Sequence, residues 1–341
     1  MPRTINFGLW YDFRNPNASL TFEDFYAASL DQIAWAEDLG FNSVWLTEHH
    51  FVEDGYTPSP LVIAAAIAQK TRQMRIGTNL MLLPVADPIR LAEDAATLSI
   101  LSGGRFDLGV GLGYRQVEFD YFKRQLKNRP SLMEEGVEII RQAWSGQPVN
   151  FNGRRFQIDN LRVTPQPTEP PRLLMGGMAT PAIARAARIG DGFLSTGGIG
   201  HDDYLAALDA LDKPRSEGAI FAGQWGVISA DPEREAARMG QYALYQTNHY
   251  IKWGAFGPPE STPEFATAAD ALRDGMYEMH DADSAVTALT ALLTQYPQIK
   301  DIHFWAQFPG EPFDQGNARM EYIARNVIPR VRRNIENQAT I

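Results

Sequence analysis

Eight short apolar segments, each followed by a helical pattern, run through the 341-residue sequence. Their residues do not alternate strictly between apolar and polar, which is typical of the buried strands of a parallel sheet. Parallel strands need long crossover connections, usually helices, so this repeat restricts the fold to the α/β classes. The segments are predicted at residues 5–11, 41–46, 74–80, 105–110, 172–175, 191–195, within 219–229 and at 301–308.

Eight strand-and-helix pairs predict a (β/α)8 TIM barrel with insertions, as a single domain over residues 1–341. A doubly wound open sheet is the alternative architecture. No Pro/Ser-rich linker divides the chain. One insertion is a predicted β-hairpin near residues 149–163, with Asn152-Gly153 as its turn.

A second insertion is predicted near residues 248–280, where glycine and proline cluster and no periodicity is clear. Two interpretations stay open for this segment: a lid that excludes water from a site, or a contact between subunits. The helix before it is predicted over residues 232–247, and the last helix of the chain over residues 317–332.

Charge and composition exclude several kinds of protein. The formal net charge of −10 argues against nucleic acid and anionic membrane surfaces as partners. The absence of cysteine excludes disulfides, thiolate nucleophiles and cysteine-ligated metals. The longest apolar run, residues 61–68, is far shorter than the roughly 20 residues that span a membrane. Asn6 and Gly8 interrupt the N-terminal apolar stretch, so we expect a cytoplasmic protein.

The most unusual polar residues follow the second strand, which runs into Thr47-Glu48-His49-His50. In a barrel, the C-terminal strand ends build the active site. Adjacent strand residues point to opposite faces, so at most one of the two histidines faces the barrel mouth. An imidazole there suits a base or hydrogen-bonding role, because it titrates near neutral pH.

A structural histidine and a metal ligand are the alternatives for this motif. A metal site would need a further ligand at the mouth. No metal-like spacing is found among the remaining histidines, which are His201, His249, His280 and His303.

Two glycine-rich segments follow the fourth and fifth strands. In "MGGMATP", residues 175–181, Thr180 is predicted to cap a helix starting at Pro181, which makes a candidate phosphate site or an ordinary turn. In "GVGLGYR", residues 109–115, alternate glycines leave one strand face bare, either for a flat ring or for tight packing. Tyr114 and Arg115 follow and could reach a ligand; a solvated arginine is the alternative.

Aromatic residues also lie at predicted strand ends. If they face the mouth, they form an apolar aromatic substrate pocket; the alternative places the two tryptophans in the core. They are Trp10, Phe51 and Trp305.

Several segments together resemble the bacterial luciferase-like flavin-dependent monooxygenases. They are "SVWLTEHHF", "IGTNLMLLPVADPIRLAEDAATLSILSGGRFDLGVGLGYRQVEF", "MGGMATPAIARAARIGDGFL" and the "QFPG" that follows strand eight. The segments occur in the family's order over most of the chain. The resemblance implies a (β/α)8 barrel, which agrees with the strand count.

The resemblance further implies an enzyme that binds reduced FMN (FMNH2) at the barrel mouth. In that family the reduced flavin reacts with O2 to give a C4a-peroxyflavin, which oxygenates a small organic substrate. A separate flavin reductase commonly supplies the FMNH2, and homodimers are common. The alternatives are hydride transfer with the deazaflavin F420, a non-catalytic flavin-binding relative, and a metal-dependent barrel hydrolase.

The resemblance also carries residue roles. It makes His49 catalytic, and Glu48 of the same motif is the second predicted catalytic residue. It places Asn79 and Leu80, joined by a cis peptide bond, at the edge of the flavin ring. The residues that it implies along the flavin and its phosphate are Gly111, Leu112, Tyr114, Arg115, Gly177, Met178 and Thr180.

This sequence departs from the luciferases at two of those positions. Luciferases have an arginine that helps to hold phosphate where this chain has Leu112, and a cysteine where it has Gly111. We therefore expect Arg115 or the helix N-terminus after Gly177 to hold the phosphate instead.

Overall fold

A computed structural model describes residues 4–16, 18 and 20–338 of the chain. Its central feature is a closed barrel of eight parallel strands, in the order β3-β2-β1-β8-β7-β6-β5-β4, which the pairing of β3 with β4 closes. The TIM-barrel prediction is confirmed, and the open-sheet alternative is wrong. The strands are β1 (Asn6–Tyr11), β2 (Ser43–Leu46), β3 (Arg75–Thr78), β4 (Phe106–Gly111), β5 (Arg172–Gly176), β6 (Gly192–Thr196), β7 (Ile220–Gln224) and β8 (Ile299–Trp305).

Helices surround the barrel and bury their apolar faces against it. They are α1 (Phe22–Leu39), α2 (Pro60–Lys70), α3 (Pro88–Ser102), α4 (Gln116–Tyr121), α5 (Arg129–Trp144), α6 (Thr180–Ile189), α7 (His201–Asp209), α8 (Pro232–Trp253), α9 (Ala268–Asp274), α10 (Ala282–Gln295), α11 (Phe313–Asn326) and α12 (Ile328–Gln338). None of the helices in the described part of the chain has the length and apolarity needed to cross a bilayer.

Short strands decorate the barrel. Met81–Leu82 pairs with β4 beyond the end of β3. Val149–Asn152 and Gln157–Leu161 form an antiparallel hairpin, whose turn covers residues 153–156 rather than Asn152-Gly153 alone. Gly226–Ile228 pairs in parallel with Glu278–His280, the last part of the second predicted insertion.

Three predicted helix boundaries are wrong. The helix predicted to stop at residue 247 continues to Trp253, where Gly254 adopts the left-handed conformation that ends it. The helix predicted over residues 317–332 is two helices, because Pro329 has no N–H to continue the ladder from α11 into α12. Thr180 is the first residue of α6 rather than its cap, which is Ala179.

Large rings fill the barrel interior because glycines on other strands leave room for them. A Cβ on Gly77 would lie 2.3 Å from the ring of Trp45, and one on Gly223 would lie 2.7 Å from the ring of Trp10. At the N-terminal end, Asp107 closes the interior by pairing with Arg75 and Arg172, at 2.7 and 2.6 Å. These ion pairs hold the buried Asp107 carboxylate at the N-terminal end of the barrel.

Candidate active site

A cavity of about 460 Å³ opens at the C-terminal ends of the barrel strands, where barrel enzymes carry their active sites. Its wall includes many of the residues predicted for the site. These are Trp10, Glu48, His49, Asn79, Leu80, Leu112, Tyr114, Gly177, Met178 and Trp305.

Four predicted site residues lie outside that wall. Gly111 is buried against Leu80, where an added Cβ would meet the leucine side chain at 2.3 Å. Thr180 is exposed at the start of α6. Phe51 is half exposed on the surface and packs against Tyr121. The fourth, Arg115, is buried behind His49.

His49 stands between two partners at the cavity wall. Its Nδ1 lies 2.8 Å from Oε1 of Glu118, and its Nε2 lies 2.9 Å from the hydroxyl of Tyr114. A carboxylate only accepts hydrogen bonds, so Nδ1 carries the proton and Nε2 accepts from the tyrosine. Tyr114, His49 and Glu118 thus form a hydrogen-bonded chain, here named the Tyr114 relay.

The charge states in the Tyr114 relay follow from burial and hydrogen bonding. Burial lowers the pKa of His49 below its ordinary 6.5, although Glu118 opposes this, so the imidazole is neutral at pH 7. Burial also raises the pKa of Tyr114 well above 10, so it remains a phenol. The cavity is therefore lined by a tyrosine whose O–H donates to a neutral base.

Glu118 remains a carboxylate despite its burial. Burial alone would raise its pKa, but hydrogen bonds from His49 and from the backbone N–H of His50, with the nearby charge of Arg115, lower it. The sequence prediction missed this residue because the segment that carries it was treated as a loop. The structure forms α4 there, and its first turn turns Glu118 towards His49, 69 residues earlier in the chain.

Glu48 and His50 pair with each other rather than with His49. Oε1 of Glu48 lies 3.1 Å from Nε2 of His50, and its Oε2 accepts from the backbone N–H of Leu82. His50 points away from the relay and packs its ring on Phe122, at 4.8 Å. The two histidines thus face opposite ways, as strand alternation predicts.

Arg115 contributes to the wall only indirectly. It donates to the carbonyl of His50 at 2.7 Å and to Oε1 of Glu118 at 3.0 Å. Its guanidinium also lies 4.5 Å from the ring centre of Trp253, and Arg14 lies 5.2 Å from the same ring. Two cations therefore hold the end of α8, directly before the loop of residues 254–257 that lines the cavity.

One side of the cavity, formed by β3, β4 and β5, suits a flat ring with a phosphate. Leu80 follows a cis peptide bond with Asn79 and packs closely over Gly176, where an added Cβ would lie 2.7 Å from it. Leu112 and Gly113 continue this apolar surface. The residues present therefore leave a smooth slot, which fits the ring of a flavin.

The same side ends at the start of α6. Gly177, Met178 and Ala179 line the cavity there, and the cap residue Ala179 has no polar side chain. Pro181 has no N–H, and the N–H groups of Ala182 and Ile183 donate to the carbonyl of Ala179, so the backbone N–H groups left for a ligand are those of residues 178–180. Arg129, at the start of α5, is the one cationic side chain among the described residues that line the cavity. Backbone N–H groups and one arginine fit a phosphate monoester.

The opposite side, formed by β7, β8 and β1, is aromatic. Trp10 stacks on Trp305 with ring centres 4.4 Å apart, and Trp225 meets Trp305 edge-on at 5.7 Å. Tyr250 and Phe256 close this side from α8 and the loop after it. This set of five rings is here named the aromatic arc.

Sequence reasoning missed Trp225 and Arg129 on this wall. Trp225 follows a strand whose end could not be placed within residues 219–229, and Arg129 lies in a segment without strand or motif signals. Tyr250 and the loop of residues 254–257 belong to the segment near 248–280, which the sequence predicted as a lid or a subunit contact. Their position on the wall supports the lid interpretation for this part of the segment.

Deeper in the barrel lies a second histidine network. Nδ1 of His303 lies 3.0 Å from Oδ1 of Asp301, and its Nε2 lies 3.0 Å from the side-chain nitrogen of Asn79. The same Asp301 carboxylate accepts from the indole N–H of Trp45 at 3.0 Å. His303 is fully buried between the rings of Trp10 and Trp45.

In the described parts of the chain, no three histidine or acidic side chains are grouped so that they could hold a metal ion.

Comparison with known proteins places this geometry in a family. Residues 5–292 match the family model described as luciferase-like monooxygenase. The F420-dependent glucose-6-phosphate dehydrogenase of Amycolatopsis mediterranei (strain U-32) is 34% identical over 194 residues, 54% of this chain and 57% of that protein. The alkanal monooxygenase alpha chain of Photorhabdus luminescens is 32% identical over 130 residues, 38% of this chain and 36% of that protein.

The chain spans about half the length of the curated relatives it matches. The fold has a fuller match among solved structures. The crystal structure of the monooxygenase RslO1 from Streptomyces bottropensis has a TM-score of 0.79 at 24% identity, and covers 95% of this chain and 99% of that chain.

Proposed function

The chain belongs to the luciferase-like monooxygenase family, and on that premise we propose that it uses FMNH2 and O2 to oxygenate a small organic substrate. Bound FMNH2 would supply the reducing power that activates O2. The observation that carries the proposal is one cavity that brings three parts together: a slot suited to a flat ring, the Tyr114 relay and the aromatic arc.

In this proposal the protein binds FMN by its ring and by its phosphate. Leu80 and Leu112 pack on the ring, and the backbone N–H groups at the start of α6 bind the phosphate together with Arg129. Arg129 takes the place that the sequence suggested for Arg115, whose guanidinium is committed to Glu118 and Trp253. The glycines at 176 and 177 keep the slot clear of side chains.

The Tyr114 relay moves protons between the bound molecule and the protein. Tyr114 accepts a proton from the bound molecule while it passes its own proton to Nε2 of His49. The resulting imidazolium is stabilised by Glu118 at 2.8 Å, which favours a charge that burial alone disfavours. Reversal of the two transfers returns the proton, so Glu118 stays ionised throughout. Glu48, which the sequence placed with His49, positions His50 in this proposal.

The aromatic arc keeps water out while this happens. Trp253 is fixed by two arginines, and it holds the loop of residues 254–257 over the cavity. A water-poor cavity strengthens the electrostatic interactions within it and limits wasteful release of peroxide. The loop is therefore the part of the segment near 248–280 to which we assign the lid role.

A second candidate, F420-dependent hydride transfer, is favoured by the identity of 34% to a glucose-6-phosphate dehydrogenase that uses F420. The Tyr114 relay could serve that reaction too, as the base for an alcohol. The charge of the cavity argues against glucose 6-phosphate as the substrate of this chain. The phosphate of the sugar and the phosphate of the cofactor would both have to bind Arg129, the one cationic side chain among the described residues that line the cavity.

Stopped-flow absorbance distinguishes the two candidates. The protein, loaded with FMNH2, is mixed with O2 and compared with free FMNH2 under the same conditions. The proposal predicts an absorbance spectrum distinct from both reduced and oxidised FMN, which outlasts oxidation of the free flavin. Oxidation at the rate of free FMNH2, together with tight binding of F420, would replace the proposal with the second candidate.

The family resemblance also leads us to propose two protein partners. One is a separate flavin reductase that supplies FMNH2, and the other is a second copy of the chain in a homodimer. Light scattering of the purified protein measures its molar mass and so tests the homodimer. The mass of a single chain would contradict the proposal.

A further inference from the structure

A cluster of cationic side chains leads up to the cavity in a chain whose net charge is −10. Part of it falls within residues 123–129, a segment that contains no acidic residue, and the rest lies in the turn of the β-hairpin. The cluster, here named the basic strip, consists of Lys123, Arg124, Lys127, Arg129, Arg154 and Arg155.

Direct contacts hold the hairpin turn against the segment that leads into α5. The guanidinium of Arg155 donates to the side chains of Asn128 and Ser131, at 2.7 and 2.8 Å. The guanidinium of Arg124 lies 5.8 Å from the ring centre of Phe156. The cations of the two segments therefore form one patch, although they come from separate parts of the chain.

Acidic side chains do not neutralise the basic strip. Within the part of the chain that the structure describes, none of its members forms an ion pair. The two acids beside it have other partners: Asp120 accepts from Gln116, and Glu135 accepts from the backbone N–H groups of residues 154–156. Like charges repel one another, so a cluster without compensation favours an anionic ligand over a purely structural role.

The basic strip reaches the cavity at Arg129, which begins α5 and lines the cavity wall. Burial lowers the pKa of Arg129, and no carboxylate lies close enough to oppose this, although an arginine remains charged at neutral pH. Lys127 comes two residues earlier, so its Cα lies within about 8 Å of that of Arg129. The potential of an exposed cation extends about 10 Å at 0.1 M salt, so the strip acts on the mouth of the cavity.

The exposed members of the strip suit the approach of a ligand rather than its final site. Lys123 and Lys127 are exposed on long flexible side chains, and neither lines the cavity. Such cations raise the local concentration of an anion and increase its association rate. A phosphate monoester, with a charge of about −1.5 to −2 at neutral pH, is the kind of anion on which they act most strongly.

Resting on the proposed function, we propose that the basic strip steers the phosphate of incoming FMNH2 to Arg129, so that the flavin enters the cavity from the side of the segment between α4 and α5. Lys123 and Lys127 then affect how fast the flavin binds. Arg129 and the start of α6 hold the phosphate after binding, and they affect how fast the flavin leaves.

Association of two flavins tests the steering without any turnover. Oxidised FMN carries the same phosphate as FMNH2, and riboflavin has the same ring without a phosphate. Stopped-flow fluorescence measures the binding rate of each at several salt concentrations. At about 10 mM salt we expect FMN to associate about tenfold faster than riboflavin, and at about 0.5 M salt less than about twofold faster.

Variants that remove charge outside the cavity identify the strip. In Lys123→Gln/Lys127→Gln we expect the association rate of FMN at low salt to fall about fivefold, with its dissociation rate and the binding of riboflavin unchanged. Lys300→Gln/Arg333→Gln removes the same charge elsewhere, at the N-terminal end of β8 and on α12, and neither residue lines the cavity. This control should keep the wild-type rates within about twofold, because its charges lie beyond the screening length.

The salt profile of the wild type and the two single variants, each with about half of the effect, decide the matter if the double variant does not fold. Equal association of FMN and riboflavin at low salt overturns the steering. So does an unchanged FMN rate in the lysine variants with the salt dependence kept, because Arg129 alone would then attract the phosphate. Both results leave the proposed function intact, whereas absence of FMN binding by the wild type would refute the proposed function itself.

Discussion

Two buried histidines of this barrel have nearly the same surroundings and different uses. His49 and His303 each place Nδ1 beside a carboxylate, at 2.8 and 3.0 Å, and Nε2 beside a neutral partner, at 2.9 and 3.0 Å. The partner of His49 is the hydroxyl of Tyr114, whereas the partner of His303 is the amide of Asn79. A phenol can exchange its proton within a hydrogen bond, and a carboxamide N–H does not.

Access makes the second difference between them. His49 and Tyr114 line the cavity, whereas His303 is enclosed by Trp10 and Trp45 below the cavity floor. We propose that the His-carboxylate pair carries a proton at the mouth, whereas the equivalent pair inside the barrel supports Asn79. The role of each histidine therefore depends on the partner of its Nε2 and on its access to a ligand.

The largest effect on catalysis is expected from His49→Ala. It removes the base that accepts the proton of Tyr114, and turnover of a screened substrate should fall about 10³-fold, within the range of lost acid–base catalysis. FMN should still bind, since His49 lies away from the phosphate end of the slot. Product formed per FMNH2 consumed, with released H2O2 as its complement, measures the loss.

His303→Ala is the matched variant for the other network. It deprives the buried Asp301 and Asn79 of partners, so the free energy of unfolding should fall by about 3 kcal/mol. Turnover by the folded protein should change less than tenfold. Denaturant unfolding and steady-state kinetics are measured on both His49→Ala and His303→Ala. An equal loss of turnover in the two variants would contradict the assignment of different roles to the two histidines.

Glu118→Gln keeps the shape of the relay but removes its negative charge. We expect turnover to fall about 10²-fold, because the imidazolium formed on His49 loses its stabilising carboxylate. The KM should change little, since Glu118 lies behind His49 and not on the cavity wall. A raised KM with unchanged kcat would instead make Glu118 a purely structural residue.

Tyr114→Phe removes the hydroxyl while keeping the ring in the wall. Turnover should fall about tenfold, because water can partly replace the missing O–H between the substrate and His49. Steady-state kinetics on this variant, in normal and deuterated water, measure the role of the relay. A full rate in Tyr114→Phe would show that His49 contacts the substrate directly.

The pH dependence is the smallest effect and follows from His49. Because its pKa lies below 6.5, the neutral base persists through that pH, and the rate should decline only as the pH falls further. Glu118 raises the pKa of His49, so Glu118→Gln should move this acid limb to still lower pH. A pH–rate profile with an acid limb above 6.5 would contradict this assignment.

The sequence was most informative where local pattern determines structure. Buried strands and their helices predicted the barrel, and the end of the second strand predicted that one of its two histidines faces the mouth. The family resemblance predicted His49, Leu80 and Leu112, which lie on the cavity wall. The pairing of His49 with Glu118 could not be predicted, because it depends on how α4 folds back across 69 residues. The hydrogen bonds of His303 also escaped prediction, because Asn79 directly follows β3 and Asp301 lies on β8 with His303, so that their meeting depends on barrel register.

The proposed chemistry depends on His49 being a neutral base whose proton lies on Nδ1, towards Glu118. NMR of protein labelled with 15N-histidine tests this without a substrate, with His49→Ala assigning the signal among six histidines. We expect a neutral ring with the proton on Nδ1 at pH 7, which converts to imidazolium only below pH 6.5. An imidazolium at pH 7, or a neutral ring with the proton on Nε2, would contradict it.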